Sequence, residues 1–244
     1  MTQVAIHQPN FLPWLGFFDK LVRAQAFVFL DDAVLTQTGG SWTNRCRIRV
    51  AESPAWLTIP VRDQERGRIP IGRMTLADGP WRRKLIETLR IGYARAPHFR
   101  PVFELVAPLI EARAQSLADY NEGAVRALCR AMGISCEHTV RASAFGVTST
   151  ATQRLVDLVR AAGGCTYLSG DGAGGYQEPE LFAAHGVGLE LQAFAHPVYS
   201  QRWQPFCPGL SVVDALMNEG FEAVGAWLRR ALPRPARIGS GSLG

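Results

Sequence analysis

Lysine is almost missing from this chain. Only Lys20 and Lys84 are lysines among 26 basic residues, and the rest are arginines. Cysteine is sparse: Cys46, Cys129, Cys136, Cys165 and Cys207 are odd in number and never form CxxC, which excludes a disulfide framework and a structural zinc ribbon. Reduced, mostly buried thiols are expected instead. Long apolar runs are absent too. Ala26 to Leu30 and Val102 to Ile110 are far shorter than the roughly 20 residues that cross a bilayer, and Glu104 interrupts the second. No membrane insertion is expected. No basic segment followed by an apolar one opens the chain, which points to the cytoplasm. There is no internal repeat, P-loop or GxSxG, so the sequence specifies neither a P-loop nucleotide site nor a hydrolase elbow.

The 244 residues are 47% apolar, enough to bury a substantial core as one large domain. Residues 1–232 are read as a single α/β domain, and the Pro, Gly and Ser-rich residues 233–244 as a disordered tail. The net charge of +5 is spread along the chain and admits an anionic partner: a phosphate-bearing substrate, a nucleotide or tRNA. Oligomeric state is not encoded in any readable feature.

Val4 to Ile6 reads as a short strand ending at His7, because Pro9 removes a backbone donor and forces a turn. Trp14, Phe17, Phe18, Leu21 and Val22 then recur at helical spacing, and Ala26 to Leu30 is an apolar run of the kind found in buried parallel strands. Strand, helix, strand is a βαβ unit. It brings His7 and the pair Asp31-Asp32 to the carboxyl edge of a parallel sheet, where open α/β sheets bind ligands.

Residues 33–80 read as a β-rich insertion, with a polar loop from Thr36 to Ser41 and strands at Cys46 to Val50 and Trp56 to Val61. Residues 81–133 read as a helical segment, with helices near Trp81 to Ala94, Pro101 to Gln115 and Glu122 to Met132. Alternation then resumes: a strand at Cys136 to Arg141, a helix from Thr150 to Ala162 capped by Ser149 or Thr150, and a strand at Cys165 to Leu168. A glycine-rich loop from Ser169 to Tyr176, a helix at Pro179 to His185, a strand at Leu189 to Phe194 and a helix capped by Ser211 complete the chain. The whole is a mostly parallel sheet of about five strands with flanking helices, Rossmann-like or nucleotidylyltransferase-like.

His7 is the first candidate for chemistry, as an acid, base or phosphate ligand, with Gln8 and Asn10 beside it as substrate contacts. The helix after the turn points its positive end at the same place, and Lys20 lies along it. Asp31 and Asp32 can orient an imidazole or bind a sugar hydroxyl, but adjacent strand residues face opposite ways, so one of them is expected at the site. No third carboxylate stands at metal-ligand spacing, and no metal is assigned. Asn44, Arg45 and Arg47 have the composition of an anion grip, the two arginines sharing one face of a strand. Ser169 and Tyr176 bracket bare glycine amides, and His196, Tyr199 and Gln201 follow another strand to the same edge. Each of these also has a plain structural reading, as a turn, a strand cap or an exposed edge.

Together these residues resemble the WbqC-like family. The resemblance is carried by His7-Gln8-Pro9-Asn10-Phe11-Leu12-Pro13-Trp14-Leu15-Gly16, by Lys20, by Leu30-Asp31-Asp32 and by Trp42-Thr43-Asn44-Arg45. It continues in Tyr167-Leu168-Ser169-Gly170, Tyr199-Ser200-Gln201 and Leu210-Ser211-Val212-Val213-Asp214. The resemblance implies a cytoplasmic enzyme that modifies bacterial surface polysaccharides, such as O-antigens with acylated or aminoacylated amino sugars. On that basis the expected activity is a transferase moving a small acyl or aminoacyl group onto an amine of an amino sugar or sugar nucleotide. His7, Lys20 and Asp31 would be its catalytic residues. The first βαβ unit is also similar to the nucleotidylyltransferase group, but that group's HxGH motif departs here, since Gly16 is followed by Phe17. No cofactor is assigned; ATP with magnesium stays open as a co-substrate, with ligation or nucleotidyl transfer as the rival reaction and non-catalytic binding of a sugar or nucleotide as the other rival.

Overall fold

A computed structural model describes residues 2–35, 41–62, 65–170 and 177–230. The loop at 36–40, the glycine-rich stretch 171–176 with Tyr176, and the tail expected at 233–244 lie outside the described residues.

Strands β1 (Gln3–His7), β2 (Ala26–Phe29), β5 (Thr139–Arg141), β6 (Thr166–Ser169) and β7 (Gly188–Leu191) form a parallel sheet in the order β5-β2-β1-β6-β7. Strands β3 (Arg45–Ile48) and β4 (Ala55–Thr58) pair antiparallel as a separate hairpin. The helices are α1 (Leu15–Arg23), α2 (Trp81–Tyr93), α3 (Phe99–Glu111), α4 (Leu117–Ala131), α5 (Ala151–Ala161), α6 (Pro179–Ala184) and α7 (Val212–Arg230).

The apolar strands are covered on both faces. Val4, Ile6, Val28 and Tyr167 face α5 and α6 through Val156, Val159 and Phe182. Ala5, Phe27, Phe29 and Leu168 belong to a larger core with Phe17, Phe18 and Leu21 of α1 and Val213 and Leu216 of α7. Phe17 meets Phe27 edge-on at 5.2 Å, anchoring α1 to the sheet. Burying one such ring stabilises by about 2 to 3 kcal/mol, so the aromatic face of β2 fixes where α1, and with it Lys20, must lie. Cys46, Ile48 and Leu57 join the same core, so the hairpin is packed rather than appended.

Several boundaries differ from the sequence reading. Helix α4 starts at Leu117 rather than Glu122, because Ser116 and Asp119 form a reciprocal capping box. Thr150 occupies the N-cap of α5 without a side-chain bond, and the Ser149 hydroxyl donates to Asp157 instead. Strand β7 ends at Leu191, before Ala193 adopts a φ of 47°. Ser211 does cap α7, accepting from the Val213 amide at 3.2 Å. That helix is kinked at Gly220, whose φ of 82° lies against the His98 ring. All five cysteines are free, with Cys46, Cys129 and Cys136 buried. No helix among the described residues is long and apolar enough to cross a membrane.

Candidate functional site

Numbered along the sheet's chain order, strand succession reverses at β1, which lies between β2 and β6. Helices leaving the two strands on either side of such a reversal diverge to opposite faces and open a crevice at the carboxyl edge. A cavity of about 800 Å³ occupies that place. Its walls come from the strand ends at His7, Leu30, Gly170 and Gln192 and from Trp14, Gly16, Phe17 and Lys20 on the following helix.

The turn after β1 is held by distant parts of the chain. The Phe11 amide donates to the Trp42 carbonyl at 2.9 Å, and the Gln8 side-chain oxygen accepts from the Thr43 hydroxyl at 2.8 Å. Ser211 donates its hydroxyl to the carbonyl of Leu12 at 2.7 Å. Leu12 itself sits at φ 39°, a left-handed conformation that costs a branched-chain residue about 1 kcal/mol or more. The surrounding bonds hold that strain in place, so this turn is pre-set rather than adaptable.

His7 Nδ1 lies 3.0 Å from the Gln8 carbonyl. A carbonyl can only accept, so Nδ1 carries the hydrogen and the lone pair of the neutral ring is on Nε2. Burial, and next the positive charge of Lys20, push the His7 pKa down to about 4, against a smaller opposing effect of the Gln8 carbonyl. His7 is therefore a neutral imidazole at physiological pH. Lys20 is 3% exposed, donates to the Ile6 carbonyl at 3.2 Å, and is the one formally charged side chain among the described residues lining the cavity. The first turn of α1 has no side-chain cap and no acidic residue, which leaves its positive end available to an anion.

Of the residues singled out from the sequence, His7, Gln8, Asn10 and Lys20 meet in this cavity. The remainder have other partners. Asp31 is buried and accepts from the amide and hydroxyl of Ser143 at 3.0 and 2.7 Å, and Asp32 pairs with Arg154 of α5. Both stand at the expected sheet edge, with Leu30 rather than either carboxylate on the cavity wall. Asn44 donates to the Ile59 carbonyl. Arg45 and Arg47 share the less buried face of β3, where Arg45 stacks on Trp56 at 4.0 Å and Arg47 reaches the Cys207 sulfur. Ser169 donates to Gln177, leaving its neighbour Gly170 on the wall.

His196 donates through Nδ1 to the Pro197 carbonyl and packs among Phe194, Tyr199 and Phe206. Tyr199 and Gln201 converge with Tyr93 on the buried Asp214 carboxylate. Burial raises the Asp214 pKa against these three bonds. A smaller cavity of about 300 Å³ borders this network and Arg49. Arg49 is itself saturated by the carbonyls of Glu52, Gln204 and Pro205, so these groups serve one another.

Trp14, Ser41, Trp42 and Gln192 line the main cavity without having been assigned to it from sequence. Trp14 and Trp42 stood inside the motif, and their aromatic character was the available signal. The sequence places Gln192 inside a strand that runs to Phe194; β7 ends at Leu191, which puts Gln192 at the edge instead. Among the described residues no group of three or more His, Cys, Asp or Glu side chains is arranged to hold a metal ion.

Fold and cavity together define a parallel α/β protein with a cavity at the reversal of its sheet. The chain belongs to the WbqC-like protein family, whose model matches residues 8–226. It is 31% identical over 226 residues to the uncharacterized protein Rv1507c of Mycobacterium tuberculosis, a match spanning 91% of this chain and 96% of that protein. No solved structure matches it.

Proposed function

We propose that the protein is a transferase that moves a small acyl or aminoacyl group onto an amine of an amino sugar or sugar nucleotide. The observation that carries this reading is a neutral imidazole whose Nε2 has no hydrogen bond among the described residues, in the same cavity as the Lys20 ammonium. Lys20 and the uncapped end of α1 hold an anionic group of the substrate. The amine nitrogen attacks the acyl carbon of an activated donor; the new C–N bond forms as the bond from acyl carbon to leaving group breaks, and the leaving group departs with that electron pair. The proton lost by the amine passes to His7 Nε2 and on to solvent. Anion binding offsets the charge of Lys20 that depresses His7, so the imidazole becomes a stronger base when substrate is present.

The test is mass spectrometry of amino-sugar acceptors incubated with the protein and thioester, acyl-phosphate or aminoacyl-ester donors. Turnover should fall by about 100-fold or more in His7→Ala, the usual contribution of a positioned acid or base. Unchanged turnover would overturn the role of His7. A crevice at a sheet reversal also suits ATP, so ATP-dependent ligation is the second reading, recognised by pyrophosphate release that requires both ATP and acceptor. Binding without any turnover would leave a non-catalytic sugar-binding protein.

A further inference from the structure

Asn10 is the unusual member of the cavity wall. It is 3% exposed, yet among the described residues no hydrogen bond satisfies either end of its amide, and it borders the cavity. Neither end of that amide is sealed from solvent, so it meets water in the cavity, and a ligand filling the cavity replaces that water with its own hydrogen bonds. Its neighbours complement it. Gln8, which lines the cavity, uses its oxygen on Thr43, and its NH2 group has no hydrogen bond among the described residues. Gln192, also 3% exposed, uses its NH2 group on the Gly16 carbonyl and the Asp19 carboxylate and keeps its oxygen. The wall therefore offers a donor, an acceptor and an amide that is both, which matches hydroxyl groups that are each donor and acceptor.

Beside these amides lies an aromatic wall. The Trp14 indole packs back over Gly16, where any side chain would collide with its six-membered ring, and Phe194 meets it edge-on at 5.7 Å. Its position is set before a ligand arrives.

Building on the transferase reading, we propose that the cavity is a sugar-phosphate site. Asn10 and Gln192 read the ring substituents, Trp14 carries the ring's apolar face, and Lys20 takes the phosphate. Asn10 is then the specificity-determining residue.

Isothermal titration of the full chain tests this with glucosamine 1-phosphate and UDP-linked glucosamine, each against its sugar-free counterpart, inorganic phosphate or UDP, and with ATP. The sugar-bearing member of each pair should bind at least tenfold tighter. Asn10→Ala should erase that advantage and leave affinity for UDP unchanged, with circular dichroism confirming the fold; Trp14→Phe should keep the fold and weaken only the sugar-bearing ligands. Equal binding within the pairs for the unsubstituted protein, ATP binding as tightly as the sugar phosphates, or a uniform loss for every ligand in Asn10→Ala would overturn the proposal. The readout needs no turnover. Sugar-phosphate binding without acyl transfer sinks the transferase reading alone, and transfer onto an amino sugar by a protein that binds the members of each pair equally sinks this one alone.

Discussion

Asn121 donates to the Pro9 carbonyl at 2.8 Å across 112 residues of sequence, and the same amide donates to the Thr43 carbonyl at 2.7 Å. One fully buried side chain on α4 thus clamps the turn after β1 to the segment before β3. The cavity residues Gln8, Asn10 and Trp14, and Ser41 and Trp42 opposite, belong to the two segments it joins.

Replacing it by Asn121→Ala strands two buried carbonyls and should lower stability by about 2 to 4 kcal/mol, read from urea unfolding. Loss of ligand affinity should accompany it, because the turn loses its fixed geometry. A stability change within about 0.5 kcal/mol would mean that water replaces the amide at no cost.

The depressed His7 pKa has a stability consequence. The unfolded chain takes up this proton near pH 6.5, but the folded protein resists it until about pH 4. Between those values the unfolded state binds more protons, so stability is full above pH 6.5 and falls as pH drops through the window. The loss from this group at pH 5 is about 2 kcal/mol. His7→Gln should lose correspondingly less between pH 7 and pH 5 in urea titrations; identical losses in the two proteins would contradict the burial of a neutral ring.

Ligand binding should reverse part of that shift. Because Lys20 is the second cause holding His7 down, an anion beside Lys20 weakens it and adds its own attraction for imidazolium. Titration of the His7 ring by NMR, with and without saturating UDP, should give a higher apparent pKa in the complex. An unchanged value would place the anion away from Lys20.

Gly16→Ala provides a local probe of the aromatic wall. The added methyl overlaps the Trp14 ring, which must swing away or strain α1, at a cost of about 1 to 3 kcal/mol. Sugar-phosphate affinity should drop, and the fluorescence of the displaced indole should change. An unaltered spectrum and affinity would mean that Trp14 is not a preset wall.

Much of this protein was legible in the residues themselves. The apolar run at Ala26 to Leu30, the helical spacing from Trp14 to Val22 and Pro9 after His7 determine a βαβ unit, because backbone geometry and burial leave few alternatives over so short a span. The same local chemistry placed His7, Gln8, Asn10 and Lys20 together, since they sit on one turn and the helix it starts. Tertiary structure alone decided the rest. From sequence, Asp31 stands among the catalytic residues and one of the pair Asp31-Asp32 is expected at the site, but α5 and the turn after β5 supply Arg154 and Ser143 and engage both carboxylates. Arg45, Tyr199 and Gln201 were drawn to Trp56 and Asp214 by packing between segments far apart in sequence. Gln192 joined the cavity, and Asn121 fixed its frame, for the converse reason. Which polar group meets which depends on strand order and on the solvent each contact excludes, and neither is written in local spacing.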